Sequence, residues 1–368
     1  MPSRFRVVAR SASFWSTRVV VGPGALKLAA NDIAREFPHH RRVVVSDARV
    51  GRLYGRRLAR LLSTRGVSAL LLTFPSGERF KTRATKARLE DRLLKAGAGR
   101  DTVVVALGGG VTGDLAGFLA ATWHRGVPFV SIPTTVLAMV DASLGGKTAV
   151  DLPDVKNAVG AFHQPVSLWA DVSLLRTLSE RHYRAGLAEA VKTAAALDAA
   201  LFRRLEADAP RLVRRDERVV ERVVSRCLAL KGGIVASDER ESGRRAVLNF
   251  GHTAAHAIEA ATDFRIAHGE AVAIGVVAEA RLAQSVTGLP RVHADRIAGL
   301  LGALGLPVSP PAGLDAKRLA RAVLRDKKVR RGVVRCALPE RIGRMPAGND
   351  PTVPVDALRD LVPRLVRN

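Results

Sequence analysis

The hydrophobic residues in the first half of the chain come in short β-branched runs that alternate with amphipathic stretches. Six runs predict strands, at residues 17–22, 41–47, 68–74, 102–110, 128–135 and 166–172. Between them, residues 48–66 and 81–97 place apolar side chains at the 3.6-residue period of a helix. Strands that alternate with helices are typical of a parallel sheet covered by helices.

The pattern changes at Leu178, after which strand signals nearly vanish. Long helical periods cover residues 185–206, 217–236 and 269–286, and the loop 309–315 opens a last small helical segment. A chain of 368 residues has room for about two domains. We therefore predict an α/β domain over residues 1–177 and an all-α domain over residues 178–368.

Composition narrows the class of protein. Hydrophobic residues make up 47% of the chain, which is enough for a folded core. No apolar run is long enough to span a membrane, and the N-terminus lacks the apolar core of a secretory signal, so we expect a cytoplasmic protein. The two cysteines, Cys227 and Cys336, cannot form a disulfide framework or a thiolate zinc site. Any metal must therefore be bound by histidines and carboxylates.

The charge is strongly positive, with 59 Lys and Arg against 34 Asp and Glu, a net charge of +25. Such a surplus suggests nucleic-acid binding. However, 48 of these cations are Arg spread along predicted helix faces, and only 4% of residues are aromatic, which leaves few stacking platforms. We predict no nucleic-acid partner; the densest basic cluster, residues 325–335, would suit a phosphorylated small molecule equally well.

A glycine-rich turn joins the predicted strand 102–110 to the next helix. Its residues Gly108, Gly109, Gly110 and Gly113 would let backbone N–H groups approach a phosphate at a helix N-terminus. Other polar residues follow strand ends, where open α/β sheets bind ligands. These residues are Asp47, which could accept hydrogen bonds from a ribose, and Glu78 and Lys81.

Three histidines, His252, His256 and His268, lie within seventeen residues. The first two are four residues apart and share one helical face. A catalytic metal site needs three protein ligands and one open position. The ligands could be His252, His256 and Glu270, or His252 and His268 with a distant acid such as Glu189, and the spacing does not choose between these sets.

The loop over residues 133–165 carries charged and amide side chains around a Gly-Gly turn, namely Asp141, Lys147, Lys156 and Asn157. Loops at strand ends often carry function. Cationic and amide donors without an aromatic groove predict a small anionic ligand.

Seven motifs, in this order and spacing, resemble 3-dehydroquinate synthase. They are GGGVTGDLAG, PTTVLAMVDASLGGK, KNAVGAFHQP, GLAEAVK, LNFGHTAAHAIE, AHGEAVA and RDKK, and the likeness runs from about residue 18 to about residue 345. The resemblance implies a Rossmann-like N-terminal domain, an α-helical C-terminal domain and an active site in the cleft between them. It also implies bound NAD, one divalent metal (zinc, with cobalt as the alternative) and a homodimer.

The resemblance also implies roles for individual residues. The metal ligands would be Glu189, His252 and His268. The substrate shell would be Asp141, Lys147, Asn157, Lys192, Lys231, Arg245, Asn249, His256 and Lys327 or Lys328, with Arg125 reaching a neighbouring subunit's site. The NAD shell would be Asp47, Glu78, Lys81, Gly109, Gly110, Val111, Asp114, Thr134, Thr135, Lys147 and Lys156.

The reaction implied by the resemblance converts 3-deoxy-D-arabino-heptulosonate 7-phosphate into 3-dehydroquinate and phosphate, a step of the shikimate pathway toward chorismate and the aromatic amino acids. A hydride passes to NAD and later returns, and between these steps the new ketone acidifies a neighbouring carbon so that phosphate leaves. Ring opening and an aldol closure complete the carbocycle. A metal assists deprotonation of the hydroxyl, and a doubly anionic substrate explains the Lys, Arg and Asn residues.

Two related activities are alternatives. An amino-dehydroquinate synthase would bind a similar anion, whereas a metal-dependent polyol dehydrogenase would lack the lysines at 147, 231 and 327. The chain departs from the usual family pattern at three positions, where Ala255, Asp151 and Val155 replace Gly, Asn and Gly.

Overall fold

The computed structural model describes residues 2–10, 14–63, 68–153, 155–324, 329–330, 333–348, 350–356, 360–362 and 365. The chain forms two compact units, Met1–Leu178 and Ser179–Asn368. The predicted domain boundary lies one residue before this division. Among the described residues, no helix is both long and apolar enough to cross a membrane.

The first unit is built on a seven-stranded sheet. Its strands are β1 (Ser3–Arg10), β2 (Phe14–Val21), β3 (Arg41–Asp47), β4 (Leu70–Phe74), β5 (Thr102–Gly108), β6 (Phe129–Pro133) and β9 (Ser167–Ala170), in the order β1-β2-β9-β6-β5-β3-β4. All neighbours pair in parallel except the β1–β2 hairpin at one edge. A separate antiparallel pair, β7 (Lys147–Val150) and β8 (Val159–Phe162), forms a second small sheet. The six predicted strands are all present.

Helices cover both faces of this sheet. They are α1 (Ala25–Glu36), α2 (Ala48–Val50), α3 (Arg56–Leu62), α4 (Arg83–Lys95) and α5 (Gly110–Thr122). Successive strand residues point to opposite faces. Val44 therefore packs in a cluster with Leu58 of α3, while Val43 packs in another cluster with Leu115 of α5. The central strands are buried on both sides, which explains their nearly continuous apolar sequence.

Helices dominate the second unit. They are α6 (Glu180–Leu197), α7 (Ala199–Val213), α8 (Glu217–Ser237), α9 (His252–Ala261), α10 (His268–Val286), α11 (Arg291–Ala303) and α12 (Ala316–Leu324). The unit also contains a three-stranded antiparallel sheet, which the all-α prediction did not include. Its strands are β10 (Val329–Arg330), β11 (Val333–Ala337) and β12 (Thr352–Asp356). Short strands of this kind give too few alternating positions to be recognised.

Two predicted helices are interrupted. The helix predicted over 48–66 consists of α2, a π-helical turn at Gly51–Gly55 and α3, which ends at Leu62. The helix predicted over 185–206 is two helices, because Asp198 leaves the helical conformation and accepts hydrogen bonds from the backbone N–H groups of Ala200 and Leu201. An aspartate in this position caps the second helix.

Glycines allow α6, α9 and α10 to pack at backbone distance. A Cβ atom on Gly269 would lie 1.9 Å from the carbonyl oxygen of Ala185, and one on Gly275 would lie 2.1 Å from that of Gly251. Neither approach leaves room for a side chain. Gly269 thereby lets the start of α10 pack against α6, and Gly275 lets the start of α9 pack against α10.

We predict that Gly269→Ala destabilises the protein by about 3 kcal/mol, because the added methyl group must push a backbone carbonyl away. Gly233→Ala is the matched control: Gly233 is also helical, but nothing lies within 4 Å of its missing Cβ. That substitution should raise the free energy of unfolding by about 0.5–1 kcal/mol. Urea unfolding followed by circular dichroism measures both values. Equal effects of the two substitutions would contradict this account of the helix packing.

Candidate active site

The glycine turn forms the start of α5 at the carboxyl end of β5. Gly109 is the N-cap residue, and no side chain caps the helix. The first backbone N–H groups of a helix have no intrahelical acceptor, so they remain available to an anion. Gly108 leaves no space for a side chain, since a Cβ there would lie 2.3 Å from Thr112 Oγ1. A small pocket opens here, lined by Gly108, Gly109, Gly110 and neighbouring residues.

Two threonines follow β6 beside this turn. The backbone N–H of Thr134 donates to the carbonyl of Gly108 at 2.9 Å, which ties the two strand ends together. The Thr134 hydroxyl is buried and has no hydrogen-bond partner among the described residues. Thr135 instead accepts a hydrogen bond from the backbone N–H of Ala138 and so caps the following turn. A buried hydroxyl without a partner next to a helix N-terminus suits a polar ligand such as a nucleotide.

Asp47 lies at the end of β3, as predicted, and caps α2. Its Oδ1 accepts hydrogen bonds from the backbone N–H groups of Arg49 and Val50 and from the Ser76 hydroxyl at 2.6 Å. Glu78 is exposed in the turn that follows Ser76. The structure therefore brings Asp47 close to the loop that carries Glu78. All of the described hydrogen bonds of Asp47 use the same carboxylate oxygen, Oδ1.

Lys81 is buried and forms an ion pair with Asp114 of α5 at 2.5 Å. Its ammonium group also donates to the side-chain oxygen of Asn157. Burial alone would lower the pKa of Lys81, but the carboxylates of Asp114, Glu78 and Asp151 raise it, so the side chain stays charged. A residue predicted to contact substrate, Asn157, is thus bonded to one predicted to contact NAD.

Asp151 also shapes the Asn157 turn. Its carboxylate accepts a hydrogen bond from the backbone N–H of Asn157 at 2.8 Å, and Asn157 has a left-handed conformation with φ 56°. This departure from the family pattern therefore has a structural role. Of the other two departures, Val155 is 53% exposed and Ala255 is fully buried.

The central loop of the sequence contains regular secondary structure. It contains a π-helical turn at Ala138–Ala142, which carries Asp141, and the β7–β8 hairpin. Lys147 is the first residue of β7 and is exposed, and Lys156 is partly buried. The hairpin packs on α5, where a Cβ on Gly117 would lie 2.4 Å from Thr148 Cγ2. The lysines are thus carried by a hairpin that is fixed to the helix of the glycine turn.

Glu189, His252 and His268 come together in the second unit. Glu189 lies in the middle of α6, and the two histidines are the first residues of α9 and α10. One ligand atom from each residue lies within 4.8 Å of the others. The Glu189 Oε1 atom is 3.5 Å from His252 Nε2 and 3.4 Å from His268 Nε2.

The opposite nitrogens of the two imidazoles are oriented by other groups. His252 Nδ1 lies 3.3 Å from the carbonyl oxygen of Phe250, and His268 Nδ1 lies 3.4 Å from the Glu259 carboxylate. Outer partners of this kind orient metal-binding histidines. With Nδ1 as the donor, each ring directs the lone pair of Nε2 toward Glu189.

The charges in this cluster favour an ionised acid. Burial raises the pKa of Glu189, but Lys192, His252 and His268 together hold it well below its usual range. Lys192 Nζ lies 2.7 Å from Glu189 Oε2, so this predicted substrate residue contacts a predicted metal ligand. Burial lowers the pKa of His252, whereas the carboxylates of Glu189 and Glu259 raise that of His268 against the effect of burial.

These residues fit a divalent metal ion. Both carboxylate oxygens of Glu189 are buried, and within the described part of the chain neither has a hydrogen bond of normal geometry, although Oε2 is paired with the Lys192 ammonium. The separations of about 3.4 Å between its oxygen and the imidazole nitrogens are long for hydrogen bonds but span the ligand shell of an ion bound at about 2 Å. Two histidines and a carboxylate match the donor set of catalytic zinc sites.

The other ligand set is wrong. Glu270 forms a two-pronged ion pair with Arg181, with both contacts at 2.7 Å, and accepts the backbone N–H of Ala267. His256 is exposed, with its ring centre 5.6 Å from that of His252. It lies beside the cluster rather than in it, and so can face a ligand.

Besides Lys192 and His256, three other predicted substrate residues lie in the same unit. Lys231 is buried on α8, and Arg245 is buried in the helical turn Arg244–Asn249. Asn249 donates to Glu241 at 2.7 Å. Lys327 and Lys328 lie outside the described residues.

Asp238 organises the segment that leads to Arg245. Its carboxylate accepts hydrogen bonds from the backbone N–H groups of Ser242, Gly243 and Arg245, each at 2.9 Å, and from the Ser242 hydroxyl. Burial raises the pKa of Asp238, but these hydrogen bonds outweigh it and lower the pKa to about 2. Sequence reasoning missed this residue and also Glu259. An aspartate just before a Ser-Gly pair was the available signal.

Arg125 lies in a strained turn after α5. Both His124 and Arg125 adopt left-handed conformations, with φ 47° and 69°, and both are exposed. Two successive non-glycine residues in this region cost about 1–3 kcal/mol each. Such strain is usually retained where a side chain has a function.

Solved structures with the same architecture define a class of enzyme. A 2-deoxy-scyllo-inosose synthase complexed with carbaglucose-6-phosphate, NAD+ and Co2+ matches with a TM-score of 0.88 and 26% identity, covering 99% of this chain and 98% of that one. The 2-epi-5-epi-valiolone synthase of Streptomyces hygroscopicus, with NAD+ and Zn2+ bound, matches with a TM-score of 0.85 and 31% identity, covering 96% and 97%. Both are synthases whose structures contain NAD+ and a divalent metal.

Sequence comparison narrows this class to one family. The model of the 3-dehydroquinate synthase N-terminal part matches residues 71–185, and that of the C-terminal part matches residues 186–329. A 3-dehydroquinate synthase of Pelobacter propionicus is 47% identical over 301 residues, which cover 82% of this chain and 84% of that protein. The chain belongs to the 3-dehydroquinate synthase family.

The Asp238 carboxylate generates a pH-dependent prediction. Its folded-state pKa of about 2 lies below the ordinary value of 3.8, so ionised Asp238 stabilises the fold above about pH 4, and this contribution disappears as the pH falls toward 2. The difference corresponds to about 2 kcal/mol at pH 7. Urea unfolding should show Asp238→Asn less stable by about this amount at pH 7 and by clearly less at pH 3.

The matched control is Asp295→Asn, since Asp295 is exposed and pairs only with Arg291, at 3.6 Å, among the described residues. An exposed pair of this kind contributes less than about 1 kcal/mol. A loss of stability for Asp238→Asn that stays constant between pH 7 and pH 3 would contradict the assigned titration.

Proposed function

We propose that this chain is a 3-dehydroquinate synthase, which converts 3-deoxy-D-arabino-heptulosonate 7-phosphate into 3-dehydroquinate and inorganic phosphate in the shikimate pathway. The observation that carries the proposal is the convergence of Glu189, His252 and His268 from three helices in a member of this family. The buried Oε1 atom of Glu189, which faces both imidazoles and has no hydrogen bond of normal geometry among the described residues, supports a metal at this position.

The first unit would bind NAD. The backbone N–H groups of Gly109, Gly110 and Val111 would bind the pyrophosphate, and Asp47 would accept hydrogen bonds from a ribose. Thr134 offers an unpartnered hydroxyl beside the turn. Lys81 and Asp114 form a buried pair next to this site. The assigned shell also includes Glu78, Thr135, Lys147 and Lys156.

The second unit would bind the metal through Glu189, His252 and His268. When bound, the metal supplies Lewis acidity toward a substrate hydroxyl and NAD supplies a reversible hydride acceptor. Lys192 holds the Glu189 carboxylate in its ionised form, and Glu259 and Phe250 fix the two rings. His256, which is exposed beside the cluster, would carry a proton to or from the substrate.

The substrate has a carboxylate and a phosphate, so it needs several cationic contacts. We assign the cationic contacts to Lys147, Lys192, Lys231, Arg245 and Lys327 or Lys328, and polar contacts to the rest of the substrate to Asp141, Asn157 and Asn249. Holding one flexible dianion in a single conformation lowers the barrier of each step by removing conformational freedom before the reaction. The chain would act as a cytoplasmic homodimer in which the exposed Arg125 contacts the neighbouring subunit's site.

The proposal predicts a specific balance of products. The purified protein, supplied with NAD and zinc, should release one inorganic phosphate per heptulosonate phosphate consumed, and NADH should not accumulate because the hydride returns to the product. A phosphate assay and the absorbance of NADH in the same sample measure both quantities. Accumulation of NADH would favour a polyol dehydrogenase, and turnover of only the amino analogue would favour an amino-dehydroquinate synthase.

The metal ligands can be separated from the proton carrier by two substitutions. His268→Ala should weaken zinc binding more than about 100-fold, because loss of an outer partner alone costs about 10–100-fold. It should also abolish turnover. His256→Ala should bind zinc normally and still lose at least about 100-fold in turnover, as expected for a group in general acid–base catalysis. Metal analysis of the two purified variants would refute the ligand assignment if His256→Ala, rather than His268→Ala, lost the metal.

A further inference from the structure

Another buried acid, Glu279, lies on α10, the helix that begins with the proposed ligand His268. Glu279 is fully buried, and its neighbours in the sequence are mostly Ala and Val. A carboxylate in such surroundings is costly unless it is hydrogen-bonded. Neither the metal site nor the substrate shell described above includes this residue.

The Glu279 carboxylate bonds to the backbone at the start of α9. Oε2 accepts the N–H of Gly251 at 2.7 Å, and Oε1 accepts the N–H of Ala254 at 3.0 Å. His252 lies between these two residues. The first N–H groups of a helix have no intrahelical acceptor and are usually capped by a side chain of the N-cap residue.

That local cap is missing in α9. The N-cap residue is Gly251, which has a left-handed conformation with φ 81° and no side chain. A Cβ at this position would lie 2.4 Å from Val276 Cγ2 and 2.8 Å from the backbone N of Val276, so a serine or aspartate cap cannot be accommodated. Glu279, from the neighbouring helix, supplies the missing acceptor.

We infer that Glu279 is a positioning residue for the metal ligand His252: by holding both sides of the Gly251–Ala254 turn, it directs the imidazole toward Glu189 before any metal binds. The inference rests on the proposed metal site. The Glu279 carboxylate bonds to the backbone on both sides of His252. It does so from α10, the helix that begins with His268. The two histidine ligands are therefore positioned relative to each other by a single helix.

Zinc affinity in the absence of substrate tests the inference. Glu279→Gln keeps the size of the side chain but turns an amide NH₂ group toward one of the two backbone N–H donors. Competition with a chromophoric chelator should show zinc bound about 10–100-fold more weakly than by the wild-type full-length protein. The absorption spectrum of bound Co2+ should also change, because the geometry of a ligand has changed.

Asp198→Asn is the matched control. Asp198 is also a buried carboxylate of the second unit that accepts two backbone N–H groups at a helix start, but it lies nine residues beyond Glu189, or about 13 Å along the helix direction. It should lower the melting temperature as Glu279→Gln does and leave the zinc affinity within about twofold. Wild-type zinc affinity and an unchanged Co2+ spectrum in Glu279→Gln would overturn the inference and leave only a structural role.

Hydrogen exchange of the metal-free wild-type protein gives a test that does not depend on whether a variant folds. If Glu279 builds the turn, the amides of Gly251 and Ala254 should exchange slowly without metal and change little when zinc is added. Rapid exchange that becomes slow only with zinc would overturn the inference. Failure of the wild-type protein to bind zinc or Co2+ at all would instead refute the proposed metal site.

Discussion

The second unit depends on one costly interaction, the burial of the Glu189 carboxylate in the middle of a helix. A buried charge without compensation costs several kcal/mol. Compensation comes from Lys192, one turn further along α6, and from imidazoles at the starts of two other helices. The close packing of α10 on α6 and of α9 on α10 depends on Gly269 and Gly275, which leave out side chains where backbones meet. Helix packing and the convergence of the proposed metal ligands therefore both depend on glycine at these two positions.

In both units, groups proposed to bind a ligand or a metal lie at helix N-termini. The start of α5 presents unbonded N–H groups at the glycine turn, and α9 and α10 each begin with a histidine. The positive end of the helix dipole favours an anion in the first case. In the second case it disfavours a charged imidazole, as burial does at His252, whereas the carboxylates of Glu189 and Glu259 outweigh both effects at His268 and raise its pKa. Helix starts thus provide a recurring means of placing functional groups.

The sequence was sufficient to predict those elements and residues that reveal themselves by hydrophobic periodicity or by local spacing. Six of the seven strands of the main sheet, the glycine turn and the three candidate ligands could be located from residue patterns and family motifs. The edge strand β1 and the hairpin β7–β8 were not predicted. The break at Asp198 and the small sheet β10–β12 could not, because a single capping residue or a strand of a few residues leaves no period to detect. Outer residues such as Glu259 and Glu279 were missed because their partners are distant in the chain or lie in the backbone. An acid on an apolar helix face drew attention to Glu189, and the same signal was present for Glu279.

The hydrogen bond between Asp151 and the backbone of Asn157 has a consequence for sequence variation in the family. The Asn157 turn requires only an acceptor oxygen at that point, and the amide oxygen of asparagine has nearly the same position and shape as a carboxylate oxygen. Exchange between the two residue types therefore preserves the turn, while the extra negative charge of aspartate falls near the Lys81 ammonium, whose pKa it helps to raise. Position 151 is thus a site where the family can adjust the local charge without rebuilding the loop.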